Sequence, residues 1–464
     1  MISYAALTPH PPILIPEIGG ERLKEAQDSR GGMQAMARQL VESCPESLVF
    51  LTPHGNVFSD AISALGEATL QGDFSNFGVR GLGTSVKNDR ELLAEIEKGT
   101  RQAGIPFLVI DEELAHRNHL QSRLDHGILV PLHYLQKAGL PDLPVVAISI
   151  GYLSIMELYG FGILVRQAAE SLGRNIAVIA SGDMSHRLKD EGPYDYHPDG
   201  VRFDHQVRDL IAAGEVLSLL EMPENLRNNA GECGYRSLVM LLGALDGLRF
   251  SPQVFSYEGP FGVGYLVAGF TPGEEKPGLL EELMTRRRNE IEECRKQETP
   301  PVRWARLTLE NHIRTGARPA WPAEMEELRS RRAGAFVSLK KNGQLRGCIG
   351  TIAPSCGDLA EEIARNAVSA GTEDPRFMPV EEGELKDLVY SVDILGEPEP
   401  ATREQLDPQQ YGVIVSKGRR RGLLLPDLEG VETVEEQLVI ALQKAGIKPS
   451  EDYQIQRFQV KRFT

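Results

Sequence analysis

Short apolar runs alternate with helix-like segments over the first part of this chain of 464 residues. Residues 2–7 and 47–51 are such runs, and residues 144–150 and 176–181 repeat the pattern. Each run is rich in the residue types that favour strands. Continuously apolar strands separated by helices are typical of a mostly parallel sheet covered on both faces. The pattern therefore predicts an α/β N-terminal domain, over residues 1–270, with a mostly parallel sheet flanked by helices.

The pattern changes after residue 270. Residues 271–300 are highly charged and bounded by proline and glycine, and Glu282 and Arg286 have the i,i+4 spacing that supports a solvated helix. We interpret this segment as a charged helical linker. The alternative interpretation is a terminal helix of the first domain.

A second pattern begins at Pro301. Residues 336–339 and 345–349 flank Asn342-Gly343, a strong β-hairpin signal because both residue types tolerate positive φ. Residues 388–394 alternate as a half-buried strand, and helix-like segments lie between the strands. Strands paired locally, with helices between them, predict an α+β C-terminal domain over residues 301–464.

Composition narrows the classes of function. The net charge of −16 argues against a nucleic-acid or membrane-surface partner, because phosphate binding needs a positive field. No apolar run approaches the roughly 20 residues of a membrane helix. The five cysteines are scattered and form no C-x-x-C, which favours a reducing compartment over a disulfide framework. The N-terminus lacks the basic start of a secretory signal, so we expect a cytoplasmic protein.

The sequence Leu-Thr-Pro-His occurs twice, ending at His10 and at His54, and both copies follow a predicted strand. Ligands of open α/β sheets bind beyond the carboxyl ends of the strands. The duplicated motif therefore favours half of a metal site over two unrelated turn histidines. A third strand end, residues 181–186, carries His186, which we expect in the same crevice as a ligand or a general acid/base. We expect Asp183 to cap a following helix.

Two further segments hold candidate residues for the same crevice. Residues 231–234 read Gly-Glu-Cys-Gly, and two histidines plus Glu232 would form the facial triad of non-haem Fe(II) oxygenases. Cys233 is the alternative third ligand, because thiolate suits softer divalent metals such as Zn(II). His126 follows Asp125 and precedes an apolar run, as a substrate-binding or supporting group would. We expect His133, farther along that run, to be structural.

The order of these motifs resembles a known family. Leu-Thr-Pro-His at residues 7–10, its repeat at 51–54, Leu-Asp-His-Gly at 124–127, Ser-Gly-Asp-Met-Ser-His at 181–186 and Gly-Glu-Cys-Gly at 231–234 resemble the class III extradiol ring-cleaving dioxygenases of the LigB type. They are also similar to the related Memo proteins. The resemblance implies Fe(II) bound by His10, His54 and Glu232, a catechol-like substrate and an oxidoreductase that incorporates dioxygen. It implies His186 as the acid/base and His126 as a supporting or substrate-binding residue.

The Cys-Gly at residues 233–234 departs from the dioxygenase pattern and resembles Memo proteins, which use a cysteine near the metal. This departure leaves the third ligand open between Glu232 and Cys233. It also leaves two alternative functions open: a non-catalytic metal-binding accessory protein, and a Zn(II) hydrolase built on the same ligands.

The second domain resembles the AMMECR domain family. The resemblance rests on Leu-Arg-Gly-Cys-Ile-Gly at residues 345–350, Asp-Pro-Arg-Phe at 374–377 and Gly-Leu-Leu-Leu-Pro at 422–426. The joined architecture is similar to that of the AmmeMemoRadiSam system, which implies a radical-SAM protein as a partner. Arg346, Cys348, Asp374 and Arg376 are the candidate residues of a small second site, with binding favoured over catalysis by Cys348.

Overall fold

A computed structural model of the chain describes residues 1–341, 343–428 and 430–464. It divides the chain into two compact units, Met1–Leu283 and Met284–Thr464. The division falls within the helix Leu280–Gln297, inside the segment that the sequence predicts to be a helical linker.

The first unit combines ten strands with ten α-helices, and every one of its residues is described. Its strands are β1 (Ile2–Thr8), β2 (Ser47–Thr52), β3 (Ile62–Leu65), β4 (Thr69–Asp73), β5 (Gly83–Lys87), β6 (Phe107–Ile110), β7 (Val145–Ser149), β8 (Ile176–Ser181), β9 (Leu248–Glu258) and β10 (Tyr265–Glu275). Its helices are α1 (Pro16–Gly19), α2 (Gln27–Glu42), α3 (Arg90–Ala103), α4 (Glu112–Asn118), α5 (His126–Lys137), α6 (Ile155–Ser171), α7 (Pro198–Ala213), α8 (Val216–Leu220), α9 (Glu224–Ala230) and α10 (Tyr235–Ala244). Helix α11 (Leu280–Gln297) follows.

The main sheet of this unit has eight strands in the order β6-β3-β7-β2-β8-β1-β10-β9. The central strands β7, β2, β8 and β1 are parallel to one another. Strands β3 and β6 form a parallel pair that joins β7 in antiparallel orientation, and β10 and β9 form an antiparallel edge beside β1. Strands β4 and β5 pair separately. The predicted α/β class, with a mostly parallel sheet flanked by helices, is confirmed.

The two faces of this sheet pack against different helices. Ala5 and Leu7 of β1 lie in one hydrophobic cluster with residues of α3, α6 and α10. Tyr4 and Ala6, the alternate positions, lie in a second cluster with residues of α2 and α5. Side chains of a strand point to opposite faces in turn, so a strand covered on both faces must be apolar at nearly every position. This requirement explains the continuous apolar runs in the sequence.

The second unit is α+β over the residues described. Its strands are β11 (Ala335–Lys341), β12 (Gln344–Gly350), β13 (Leu388–Leu395), β14 (Glu399–Pro400), β15 (Gly412–Lys417), β16 (Arg420–Leu424), β17 (Gln454–Phe458) and β18 (Val460–Phe463). Its further helices are α12 (Pro300–Thr315), α13 (Leu359–Thr372) and α14 (Val434–Ala445). The strands form two antiparallel sheets, ordered β12-β11-β13-β18 and β14-β17-β15-β16. The predicted α+β class of the C-terminal part is confirmed.

Local signals of the second unit correspond to observed features. Strands β11 and β12 pair as an antiparallel hairpin, and Gly343 has a φ of 83°. The other predicted turn residue, Asn342, lies outside the described residues. Thr433 and Glu436 form the capping box of α14, as their spacing indicates. Within the described ranges, no helix is both long enough and apolar enough to cross a membrane.

Candidate metal centre

The strand order explains why the histidine motifs meet. Strand β8 lies between β2 and β1 and is parallel to both. The carboxyl ends of the three strands therefore lie side by side at one edge of the sheet. His10 follows β1, His54 follows β2, and the segment 182–186 follows β8. Pro9 and Pro53 stand directly before the histidines, where a proline ends the strand and restricts φ.

His10 is at the centre of the site. Its side chain is buried, and its Nδ1 lies 3.0 Å from the Ser181 hydroxyl. That oxygen can accept the Nδ1 proton, which leaves the lone pair on Nε2. His10 Nε2 lies 2.8 Å from Nε2 of His54 and 3.7 Å from the Cys233 sulfur. An imidazole fixed through one nitrogen, with the other facing further donors, is the usual arrangement of a metal-binding histidine.

His126 completes a group of three imidazoles. It is the first residue of α5, whose N-cap Asp125 accepts hydrogen bonds from the Gly127 N–H and from the Thr52 hydroxyl. The Thr52 bond ties the start of α5 to the end of β2. The rings of His126 and His54 stack with centroids 4.3 Å apart. Ligand nitrogens of His10, His54 and His126 all lie within 4.8 Å of one another.

Asp183 and Cys233 lie on the other side of His10. The Asp183 carboxylate accepts the His10 N–H at 3.1 Å, and the Cys233 sulfur accepts the Asp183 N–H at 3.2 Å. Ligand atoms of His10, Asp183 and Cys233 lie within 4.8 Å of one another, so they form a second group able to hold a metal ion. The expected cap at Asp183 is wrong, because the next helix, α7, begins only at Pro198.

Two glycines allow Asp183 and Cys233 to approach. A Cβ added to Gly182 would lie 2.0 Å from the Gly234 Cα, far inside van der Waals contact. The Gly234 N–H also donates to the Asp183 carbonyl oxygen at 2.9 Å. The backbones of the two loops therefore touch directly, which only glycine at this contact allows.

Glu232 points to a different partner. Its carboxylate accepts the Tyr235 N–H at 2.6 Å, at the first turn of α10. Glu232 belongs to neither of the groups of potential ligands found among the described residues. Burial raises the pKa of Glu232, while the Tyr235 hydrogen bond and the charges of Arg236 and Arg227 act in the opposite direction. Its observed contact is that of a residue stabilising a helix start.

His186 stands next to the three imidazoles. Burial lowers its pKa to about 4, and the charge of nearby His54 acts in the same direction. Its ring is parallel to that of Tyr194, with centroids 5.9 Å apart. His186 is therefore a neutral imidazole at neutral pH, able to accept a proton inside the crevice.

The electrostatics of the donor set fit a divalent transition metal. Burial lowers the pKa of His10 well below its ordinary value, and the neighbouring histidines lower it further. Burial also lowers the pKa of His54, and that of His126 to about 4. Neutral imidazoles have the free lone pair that metal binding requires. Nitrogen donors with a thiol and a carboxylate beside them suit iron or zinc better than magnesium or calcium.

The candidate residues of the second unit belong to two neighbouring hydrogen-bonded groups. The Asp374 carboxylate accepts the Cys348 N–H at 2.9 Å and forms an ion pair with Arg376 at 2.8 Å. Arg346 pairs instead with Glu384 at 2.8 Å and donates to the Met378 carbonyl oxygen. Both groups join β12 to the segment between α13 and β13, and each arginine is paired with a carboxylate.

Sequence reasoning missed three supporting residues of the candidate metal centre: Ser181, Asp183 as a carboxylate beside the imidazoles, and Asp125 as the cap that orients His126. The signal for Asp125 was present, because an aspartate directly before a helix is a preferred N-cap. Burial raises the pKa of Asp125 to about 6, although its hydrogen bonds oppose this shift. The role of Ser181 depends on the order of the strands, which local sequence does not carry.

Comparison with known proteins agrees with both halves of the chain. The family described as the catalytic LigB subunit of aromatic ring-opening dioxygenase matches residues 4–268, and the AMMECR1 family matches residues 302–463. Protein CA_C1420 of Clostridium acetobutylicum is 43% identical over 458 residues, covering 98% of each chain. A Thermotoga maritima protein is 56% identical over 171 residues, covering 36% of this chain and 98% of its own.

A solved structure, that of protein PH0010 from Pyrococcus horikoshii, is 31% identical and covers 35% of this chain and 88% of its own, with a TM-score of 0.33. The two family matches correspond to the two resemblances that the motifs of the sequence indicate. The chain therefore belongs to the LigB family of aromatic ring-opening dioxygenases, joined in one polypeptide to an AMMECR1 domain.

Proposed function

We propose that the first unit is an Fe(II)-dependent oxidoreductase of the extradiol type, which opens a catechol-like aromatic ring with dioxygen. The convergence of His10, His54 and His126 with Cys233 and Asp183 at one sheet edge carries this proposal. Membership of the LigB family supports it. In this proposal His10 and His54 are metal ligands, and Cys233 rather than Glu232 is the third. The position of the Cys233 sulfur beside His10 Nε2 supports that choice.

Bound Fe(II) would bring a catechol and dioxygen together and move charge between them. The chain's own residues then have separate tasks. His186, a half-buried neutral imidazole, accepts a proton from a substrate hydroxyl and returns it after the ring opens. His126 stacks on His54 and contacts Phe77, so it orients the substrate and restricts the motion of the His54 ring.

Oxygen consumption tests this proposal. Protein purified without oxygen and loaded with Fe(II) should consume dioxygen with at least one member of a catechol panel and yield a ring-opened product. His186→Ala should abolish consumption while leaving the iron content unchanged, because His186 moves protons and binds no metal in this proposal. Wild-type protein that retains iron yet consumes no oxygen with any catechol would contradict the proposal.

A second candidate function is a non-catalytic metal-binding accessory protein for a radical-SAM partner. One observation favours it: Glu232 bonds to the Tyr235 N–H, so the carboxylate of a two-histidine, one-carboxylate set is turned elsewhere. Co-purification with a radical-SAM protein, unaffected by His186→Ala and lost in the metal-free protein, would support it. Metal analysis tests the third possibility, a Zn(II) hydrolase, because that function requires stoichiometric zinc in place of iron.

A further inference from the structure

A cavity of about 560 Å³ lies on the surface of the first unit between α2 and α5. We call it the α2–α5 groove. It is lined by Pro16, Glu17, Arg30, Gln34, Arg38, His133, Tyr134, Lys137 and Ala138. None of the candidate metal ligands lines it. Its volume is that of a site for one small molecule.

The charge of the groove differs in sign from that of the whole chain. Arg30, Arg38 and Lys137 contribute three positive charges, and Glu17 contributes one negative charge. The groove therefore has an excess of two positive charges, whereas the net charge of the whole chain is −16. Burial lowers the pKa of His133, with Glu17 raising it and Lys137 lowering it, so the imidazole adds no charge at neutral pH.

The three cations form no ion pair among the described residues. Among the described residues, no carboxylate lies within ion-pair distance of Arg30, Arg38 or Lys137, although ion pairs are frequent elsewhere on this surface. Cations gathered in one concavity repel one another unless an anion neutralises them. An anion in the groove would remove that repulsion and accept their hydrogen bonds.

Helical spacing places the polar side chains that line the groove on one face of each helix. Arg30, Gln34 and Arg38 follow one another at four-residue intervals along α2, and His133 and Lys137 have the same interval on α5. Residues four apart share a helix face. The two helices pack together through the second hydrophobic cluster of the sheet, with Met33 and Met36 on α2 and Leu132 and Leu135 on α5. The backbone positions of the cations are therefore set by a buried core.

We propose that the α2–α5 groove is a binding site for a small phosphate-bearing molecule. A phosphate monoester carries nearly two negative charges at neutral pH, which matches the two excess positive charges of the groove. Arginine guanidinium groups bind phosphate oxygens through paired hydrogen bonds. Glu17 and Gln34 add an acceptor and an amide for hydroxyl groups of such a ligand. Helix α5 rises about 10 Å between His126 and His133, the first groove residue on that helix, so the site is separate from the candidate metal centre.

Calorimetric titration of the full chain tests the proposal. Inorganic phosphate, pyrophosphate and a panel of sugar phosphates and nucleotides are the probes, and vesicles with anionic phospholipid are a separate arm. We expect saturable binding of at least one soluble phosphate compound. Arg30→Gln and Arg38→Gln should each weaken it by at least about tenfold, the loss expected for a charge-assisted hydrogen bond. Binding to vesicles alone would identify a lipid headgroup as the source of the phosphate.

Arg90→Gln is the matched control, because Arg90 is exposed on α3, away from the groove, and its replacement removes the same charge. It should leave the affinity for phosphate unchanged. Equal weakening by Arg90→Gln and Arg38→Gln would overturn the proposal, since it would show a general charge effect. Absence of binding for every probe at millimolar concentration would overturn it too. The readout needs no metal and no oxygenase activity, so its outcome is independent of the proposed function.

Discussion

At the scale of single residues, two adjacent side chains in the candidate metal centre have different partners. Cys233 is directed at His10, whereas Glu232 is directed at the first turn of α10. A thiolate ligand gives iron a different potential and a different affinity for dioxygen from those that a carboxylate gives. The identity of the third ligand would therefore set how readily bound iron reacts with dioxygen.

Replacing each of these residues separately tests the assignment. Cys233→Ser should lower iron affinity by at least about tenfold, because a metal ligand is lost. Glu232→Gln should retain iron and lower the free energy of unfolding by about 1 kcal/mol, the usual effect at a helix start. Metal content after equilibration with limiting Fe(II), together with denaturant unfolding, measures both effects. Iron lost from Glu232→Gln but kept by Cys233→Ser would assign the site to the carboxylate.

Glu384 predicts how the second unit responds to acid. Burial raises the pKa of Glu384, but hydrogen bonds from Arg346 and Lys341 outweigh it and lower the pKa from 4.5 to about 2. A pKa that is lower in the folded state than in the unfolded state stabilises the folded protein at pH values above 4.5, the unfolded pKa. This contribution is lost as the pH falls towards 2.

The free energy of unfolding of wild type should exceed that of Glu384→Gln by about 2 kcal/mol at pH 6, after allowance for solvent screening. The difference should shrink as the pH falls from 4.5 to 2. Urea unfolding at several pH values measures it, and Glu326→Gln, which removes an exposed carboxylate, is the control for net charge. A difference that stays constant between pH 6 and pH 2.5 would rule out the ion pairs as its cause.

At the scale of elements, the crossing of α6 and α10 supports the sheet beneath the metal centre. A Cβ added to Gly162 of α6 would lie 1.9 Å from the Met240 carbonyl oxygen of α10. A Cβ added to Gly243 would lie 2.0 Å from the Tyr159 carbonyl oxygen of α6. The helices thus meet backbone to backbone, which orients α10 and the loop that precedes it, where Cys233 lies.

One helix provides both the variant and its control for this crossing. Gly162→Ala should lower the free energy of unfolding by about 3 kcal/mol, because the added methyl group overlaps rigid backbone. Gly160→Ala should be neutral or stabilising by up to about 1 kcal/mol, since its Cβ would lie 3.7 Å from Ile105 and alanine favours helix. Thermal unfolding of both variants measures these effects. Equal stabilities of the two variants would contradict the close contact between α6 and α10.

At the scale of the whole molecule, each unit has its own hydrophobic core. The first unit contains the two clusters on either face of its main sheet, and the second contains clusters built on its two smaller sheets. Nine of the ten histidines lie in the first unit, and only His312 lies in the second. Units with separate cores can unfold in separate transitions.

Metal addition should therefore stabilise one unit only. Fe(II) at a hundredfold excess over its dissociation constant stabilises its unit by about 2.7 kcal/mol, which raises that Tm by roughly 5 °C or more. Anaerobic scanning calorimetry of the full chain should show one transition shifting and the other unchanged. His54→Ala is the control and should remove the shift. Equal shifts of both transitions would contradict metal binding confined to the first unit.

The sequence by itself determined the fold classes and the conspicuous histidines. The apolar runs at 2–7, 47–51, 144–150 and 176–181 correspond to β1, β2, β7 and β8, because strands covered on both faces are apolar throughout. The duplicated Leu-Thr-Pro-His motif pointed to His10 and His54 without any knowledge of contacts. The motif order also indicated the LigB family, which the family comparison confirms.

Only the tertiary structure decided which side chains meet. It placed β8 between β1 and β2, brought Asp183 to His10, and turned Cys233 rather than Glu232 towards that histidine. It also gathered Arg30, Arg38 and Lys137 from two helices into one groove. The physical reason is the same in each case. Local sequence encodes strands, helices and caps through short-range preferences, whereas these contacts depend on strand order and helix packing between residues far apart in the chain.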